Sequence, residues 1–534
     1  MSKIVDAIAG IASIAGNTPA LESMGETVSY RELIEAVRAL ATQFNTLGIE
    51  RLALAADNSA EWIIVDLACQ LAGVPLIPLP GFFTPQQMRH AVDSSGVDVL
   101  LSDQHGLEQH CANLFDMQFS PGLTKLKGLR RIRALHLSPQ LKKVLLPESA
   151  AKITYTSGST GQAKGVCLSV QNQYATATAL NAALEDIALD RHLVVLPLAT
   201  LLENVAGVYR ALLRGALVVL PSLTELGWAG SSGLEIQSLA SSITKVQPNS
   251  AVILPQILKG LISLCESERW AAPASLRFLA VGGARVAPEL IQRGRTLGLP
   301  VYEGYGLSEC GSVVSVNTPS ADKIGSAGKV LSHCVVNIVD SELWVGGNVY
   351  QSYLGQESSC RAIAEVATGD LGDIDEDGFL WLRGRSKNVL VNSYGRNISP
   401  EWPESELLAQ PSILQCMVFG DEQAYCSALI YPAANVSSEQ VEHEISICNR
   451  LLPDYAQIKC WANFPVPLSS ENGLLTANGR LRRHEILGHY RDLVASCYAD
   501  DSELIVSKYT EQMDNPLKCK NMAASAKGVN DGVL

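Results

Sequence analysis

Strand-like and helix-like stretches alternate along the first half of the chain, and this rhythm limits the possible folds more than any other feature. Ser29 is a polar cap ahead of Leu33, Ile34, Val37, Leu40 and Ala41, which recur at helical spacing. An apolar run at residues 51–56 precedes a helical stretch at 62–72, and residues 74–79 are strand-like again. Short apolar runs return at 193–196, 216–220, 251–254 and 276–281. Strand, helix, strand in this order predicts βαβ units around a largely parallel sheet. A chain of 534 residues exceeds one ordinary core, so more than one domain is expected.

The pattern changes near residue 330. Residues 334–339, 342–345 and 379–382 are short strands separated by Gly and Asp turns, a smaller β-rich subdomain at about 330–384. After Arg385 comes a compact α+β stretch: a strand at 388–391, a helix from Pro400, strands at 416–419 and 426–431, and a helix after Ser437. The expected organisation is α/β. A large N-terminal domain of βαβ-type sheets with its β-rich subdomain fills residues 1–384, a small α+β C-terminal domain 385–500, and a polar tail 501–534.

Composition excludes several classes. The hydrophobic fraction of 47% and charged fraction of 18% are those of a globular protein. A net charge of −13 without a long basic stripe argues against a nucleic-acid partner. The one basic stretch (Lys125, Lys127, Arg130, Arg131, Arg133, Lys142, Lys143) is expected to be a solvated connector. The 13 cysteines show no CxxC or zinc-finger spacing, which suits free thiols in a reducing compartment. Residues 1–16 are mildly apolar, but Asp6 interrupts them and Lys3 is a thin basic flank, so an amphipathic helix is expected there and not a signal peptide. No apolar run is long enough for a transmembrane segment. A cytoplasmic protein is expected, with peripheral membrane contact left open.

Residues 153–166 pack hydroxyls, glycines and one lysine between two strand-like ends. Glycines let backbone N–H groups approach an anion, while Thr156, Ser157, Ser159 and Thr160 add hydroxyls and Lys164 a charge. With Gly158 and Gly161 this composition suits a polyphosphate. The spacing does not fit GxxxxGK[ST], and a strand follows instead of a helix, so the loop is not that of the P-loop NTPases.

The loop resembles the signature T-S-G-[ST]-T-G-x-P-K-G of the acyl-adenylate-forming superfamily (acyl-CoA synthetases, luciferases and peptide-synthetase adenylation domains), with Ala163 at the usual proline. Further segments match in order over about residues 25–490. Val281-Gly-Gly-Ala-Arg285 resembles the segment beside adenine and substrate, implying roles for Gly282, Gly283 and Ala284; alone it is an ordinary turn before a helix. In Tyr302-Glu-Gly-Tyr-Gly-Leu-Ser-Glu309 the resemblance implies adenine stacking on Tyr305, with Gly304, Gly306 and Ser308 around the nucleotide. Glu309, with Thr160, would be a hard oxygen ligand for Mg²⁺. Asp370 and Arg385 match the ribose contacts, and Lys387 the hinge of a small domain that is mobile in this family. Gly395 matches a glycine lining the thiol tunnel. The acidic run Asp373 to Asp377 is turn chemistry, with Asp377-Gly378 as a hairpin turn.

In Leu475-Thr-Ala-Asn-Gly-Arg480 the family's catalytic lysine falls on Arg480. Arginine keeps the charge but is planar and longer, so the exchange is not conservative. Residues 196–203 resemble the acyl-CoA synthetase segment P-L-x-H-x-x-E, with Thr200 at the histidine and Glu203 matching; Glu203 reads equally well as a helix-start residue. The resemblance implies ATP-dependent conversion of a carboxylic acid, expected to be apolar, to acyl-AMP with release of pyrophosphate. Transfer to coenzyme A would follow, because no carrier domain with a G-x-D-S site lies downstream. Two alternatives stay open: an acyl-AMP ligase serving a separate carrier protein, and a catalytically silent ATP- and acyl-binding relative.

Overall fold

The structure is a computed structural model that describes residues 2–103, 126–136, 144–156, 163–229, 233–356, 363–476 and 479–498. It contains two compact units. One spans Met1–Lys387 with Ser469–Glu471 and Leu475–Arg480; the other holds Asn388–Leu468, Asn472–Leu474 and the chain from Leu481.

Local signals start most helices of the first unit. The Ser29 hydroxyl accepts from the Glu32 amide, and the Glu32 carboxylate accepts from the Ser29 amide at 2.8 Å, which fixes the start of Tyr30–Leu47. Thr84 and Gln87 do the same for Pro85–Ser95. Residues Lys3–Ala15 form the expected amphipathic helix, with Ile4, Val5 and Ile8 buried. The helix Ala60–Ala72 is buried without a break from Trp62 to Gln70, as an interior helix must be.

The alternation of strand and helix is realised as two sheets. In one, Val301–Tyr305, Phe278–Val281, Ser250–Ile253, Arg191–Leu193, Leu217–Val219 and Pro19–Ser23 lie side by side in parallel. Antiparallel strands close both edges. In the other, Ala150–Thr156, Leu76–Pro78, Leu52–Ala55 and Val99–Ser102 form the parallel centre. One apolar core draws on both sheets and on the helices between them, including Leu21, Val218, Leu54, Val99, Leu67 and Val208. The β-rich subdomain is a four-stranded antiparallel sheet of Cys334–Val339, Glu342–Gly347, Glu365–Ile374 and Leu380–Arg385. The acidic run forms its last turn: the Asp375 carboxylate accepts from the amides of Asp377 (3.0 Å) and Phe379 (2.9 Å), and Gly378 has φ 81°.

Two strands are shorter than expected. The run at 193–196 is a strand only over Arg191–Leu193, because the amides of Val195 and Leu196 turn to the Glu203 carboxylate instead of a neighbouring strand. At 388–391 a 3₁₀ turn, Ser386–Asn388, leaves only Leu390–Val391 extended; the Asn388 amide side chain is taken by Glu401 and the Asn392 side chain turns the chain back.

The second unit is α+β. Ile413–Phe419 and Cys426–Pro432 pair antiparallel, Ile458–Asn463 joins in parallel, and the helices Glu401–Leu408 and Ser438–Leu451 supply Leu407, Val441, Ile445 and Cys448 to its separate core. No helix among the described residues is long and apolar enough to cross a membrane.

Candidate active site

In open α/β sheets, ligands collect where parallel strands end at their carboxyl side. Here those ends enclose a cavity of about 210 Å³. Its lining includes Thr156, Gly282, Gly283, Gly304, Tyr305, Gly306 and Ser308, together with Thr200 and Arg480.

The strands Ala150–Thr156 and Lys164–Ser169 form an antiparallel hairpin that pairs out to Thr156 and Lys164. The glycine- and hydroxyl-rich loop is therefore the connection of that hairpin. Ser157, Gly158, Ser159, Thr160 and Gly161 lie outside the described residues. On the far side of the loop the Ala163 carbonyl meets His90 Nε2 at 2.9 Å.

Tyr305 ends its strand with the phenol donating to Asp370 Oδ2 at 2.7 Å. Burial and the adjacent Asp370 carboxylate push the Tyr305 phenol pKa well up, so it stays a donor. The other Asp370 oxygen pairs with Arg385 Nε at 2.9 Å. Asp370 and Arg385 are register partners on adjacent strands, so the β-rich subdomain delivers both from one hairpin. Gly306 lets the chain turn: a Cβ there would lie 1.9 Å from the Ser312 carbonyl oxygen. The turn that follows, Ser308–Cys310, carries Glu309, whose Oε1 accepts from the Tyr353 hydroxyl at 2.9 Å. Lys164 Nζ sits over the Tyr353 ring, 5.1 Å from its centroid.

The Arg480 amide donates to Thr476 Oγ1 at 3.0 Å. Surrounding protein and the Arg385 cation lower its pKa from the ordinary arginine value, while Asp370 and Glu309 act in the opposite direction. The first unit thus brings Arg385, Asp370 and Glu309 within electrostatic reach of Arg480, although Glu309 and Arg480 are 171 positions apart in sequence.

Glu203 is fully buried and is not among the residues that line the cavity. Its Oε1 meets His192 Nε2 at 3.0 Å and its Oε2 accepts the Val195 and Leu196 amides. It opens a π-helix, Glu203–Tyr209, and a Cβ on Gly207 would come 2.2 Å from Glu203 Oε1 and 2.5 Å from His192 Nε2. Glycine at this position leaves room for the hydrogen-bonded pair beneath the helix. Ala284 is likewise absent from the cavity lining. Lys387 is the last residue of the first unit's main segment, and Gly395 lies in a turn of the second unit with φ 71°.

Two side chains that had no role in the sequence reading stand at the site. Tyr353 is one, with no motif to mark it. The other is Arg210, which lines the cavity yet is only 3% exposed. Its Nε donates to the Ala206 carbonyl at 3.0 Å and its Nη2 to Ser250 Oγ at 2.9 Å, and the guanidinium lies 5.9 Å from the Phe278 centroid. Burial and the nearby Arg214 lower its pKa to about 10, which leaves it a cation at neutral pH. Burial also lowers the pKa of His192. In the neutral ring Nε2–H donates to Glu203 while Nδ1 accepts from the Ser250 hydroxyl at 2.9 Å, which completes a chain from Glu203 to Arg210. A charged residue inside the apolar stretch 205–213 was the available signal.

Comparison with known proteins decides the family. The AMP-binding enzyme family matches residues 11–350, and the AMP-binding enzyme C-terminal domain matches residues 387–502. The chain belongs to the AMP-binding enzymes, the adenylate-forming superfamily. It is similar to the 2-succinylbenzoate–CoA ligase of Bacillus subtilis (strain 168), 27% identical over 421 residues, covering 74% of this chain and 81% of that one. The same fold occurs in the o-succinylbenzoate CoA synthetase of Bacillus subtilis in complex with the acyl-adenylate intermediate, with a TM-score of 0.71 at 24% identity over 90% of this chain and 97% of that one. It also occurs in the anthranilate CoA ligase AuaEII in complex with anthranoyl-AMP, with a TM-score of 0.75 at 20% identity over 91% and 96%. Membership accounts for the two-sheet architecture of this AMP-binding enzyme and for a separate C-terminal unit.

Proposed function

We propose that this AMP-binding enzyme uses ATP to convert a carboxylic acid to an acyl-adenylate and then transfers the acyl group to the thiol of coenzyme A. The observation that carries this reading is a single cavity with two kinds of wall. Thr156, Tyr305, Ser308 and Arg480 form a polar part suited to a nucleotide, and Leu180, Leu184, Phe278 and Val313 form an apolar part suited to the body of an acid.

In the first step a carboxylate oxygen forms a bond to the α-phosphorus of ATP, and the bond to the β-phosphate oxygen breaks, releasing pyrophosphate. Both reactants are anions, so positioning and positive charge supply most of the catalysis. Arg480 and Lys164, with the donors of the phosphate loop, carry that charge. Tyr305 offers its ring to adenine and Asp370, held by Arg385, accepts from the ribose hydroxyls. Mg²⁺ offsets phosphate charge when bound. Glu309 suits it as a hard oxygen donor, and Thr160 is the second candidate. Among the described residues no three His, Cys, Asp or Glu side chains cluster as a metal cage. Mg²⁺ held by one carboxylate plus substrate phosphates needs none. In the second step the thiol sulfur attacks the acyl carbon, its proton leaves to solvent, and AMP departs. Lys387 as hinge and Gly395 beside the thiol arm serve this step.

The acid has an apolar body. The Arg210 cation in the same lining favours one that also carries an acceptor group away from the reacting carboxylate. The relative named for 2-succinylbenzoate is named for an aromatic acid of that kind. The described cysteines are free thiols, which suits a cytoplasmic enzyme.

Acid-dependent exchange of labelled pyrophosphate into ATP, run on a panel of acids and followed by addition of coenzyme A, tests the reading. Exchange is expected to be fastest with aromatic acids bearing a second carboxylate or keto group, and Arg210→Leu is expected to shift preference to plain monocarboxylates. Absence of exchange with every acid would point to a silent relative. Exchange without thioester formation would point to a carrier protein as acceptor.

A further inference from the structure

Lys164 and Glu309 carry opposite charges at the same end of the site, yet no ion pair joins them. If they paired, the lysine would be lost to the phosphates and the carboxylate to the metal. Tyr353 stands between them. Its hydroxyl donates to Glu309 Oε1 at 2.9 Å, and its ring face receives Lys164 Nζ at 5.1 Å from the centroid. Among the described residues no hydrogen bond takes Glu309 Oε2, so one oxygen remains for a cation.

The backbone fixes this insertion from both sides. Ser352–Tyr353 pairs antiparallel with the strand that starts at Lys164, with Tyr353 opposite Val166. The Leu354 amide donates to the Gly165 carbonyl at 2.7 Å, and the Tyr350 amide to the Glu309 carbonyl at 2.6 Å. The Tyr350 ring packs on the Tyr353 ring at 4.8 Å. A five-residue segment therefore ties the end of the phosphate hairpin to the turn that carries Glu309.

We propose that Tyr353 is a positioning residue of the adenylation site. Its hydroxyl aims Glu309 at the metal-bound nucleotide, and its ring keeps Lys164 from collapsing onto that carboxylate. The inference rests on the proposed use of Mg²⁺ and ATP. Tyr353→Phe removes the hydroxyl and keeps the ring, whereas Tyr353→Leu removes both.

The test is calorimetric titration of ATP into each protein, at a series of Mg²⁺ concentrations and in EDTA, alongside thermal unfolding. Loss of one charge-assisted hydrogen bond should raise the Mg²⁺ needed for half-maximal ATP binding by about tenfold in Tyr353→Phe. Its ATP affinity in EDTA and its unfolding midpoint should match wild type. Tyr353→Leu should bind ATP more weakly in EDTA as well, because Lys164 then pairs with Glu309. Unchanged Mg²⁺ dependence in Tyr353→Phe, or equal losses with and without Mg²⁺, would overturn the role while leaving the adenylation reading intact. Wild-type protein that binds no ATP at all would overturn both.

Discussion

Arginine and lysine carry the same charge in different shapes, and at residue 480 that difference falls on the chemistry. A compact ammonium can bridge a carboxylate and a phosphate as a point charge, whereas a planar guanidinium presents a fixed fork. Arg480 lines the cavity, and its pKa responds to Arg385, Asp370 and Glu309. Removing its charge should therefore cost transition-state stabilisation. Arg480→Ala is expected to lower pyrophosphate exchange by roughly 100-fold or more. Arg480→Lys should keep or raise it, and equal rates for wild type and Arg480→Ala would remove Arg480 from the mechanism. The motif around position 480 was legible in the sequence because it is contiguous. The role of Arg210 was not, because a lone arginine in an apolar stretch gives no indication of which cavity it will enter.

At the scale of the element, the π-helix Glu203–Tyr209 is the part that local reasoning described least well. The residues around it suggest an ordinary helix start. Beneath it lies a buried pair, Glu203 and His192, whose nearest atoms would meet any side chain at Gly207. Gly207→Ala should therefore destabilise the protein by about 3 kcal/mol, by breaking the hydrogen bond of the buried Glu203 carboxylate to His192. Urea unfolding measures this, and a change within experimental error would mean that the helix can shift away from the pair. By contrast, the capped helices at Ser29 and Thr84 and the Asp375–Gly378 turn follow from short-range hydrogen bonds, and the sequence displays each of those partners within a few positions.

Two titratable groups, the buried Glu303 and the half-buried His333, set opposing pH slopes on the stability of the whole molecule. Glu303 is buried with Oε2 lacking a hydrogen-bond partner, and burial raises its pKa from 4.5 to about 8. The folded protein holds that proton more tightly than the unfolded chain, so the contribution is full below pH 4.5 and is lost as pH rises towards 8. Burial lowers the His333 pKa from 6.5 to about 4, so its contribution is full above pH 6.5 and is lost as pH falls towards 4. Stability should peak at mildly acidic pH. Glu303→Gln, which keeps the shape without the charge, should raise stability at pH 8 by about 2 kcal/mol and leave it nearly unchanged at pH 5. Thermal unfolding of both proteins across pH 4–9 checks this, and parallel curves would show that Glu303 does not titrate in that range.

The sequence by itself determined the order of strands and helices, the position of the phosphate hairpin, the nucleotide motifs and the family they resemble. Periodicity, caps, turns and contiguous motifs act over a few residues, so their physics is present in any short window. The tertiary structure decided which distant side chains meet. Lys152 and Asp66 are 86 positions apart and form a fully buried ion pair at 2.9 Å. Tyr305 reaches Asp370 over 65 positions and Tyr353 reaches Glu309 over 44. It also buried Glu203 against His192 and placed Arg210 in the cavity wall. The energies of such contacts depend on separation in space and on exclusion of water, and neither quantity exists until the sheets have packed.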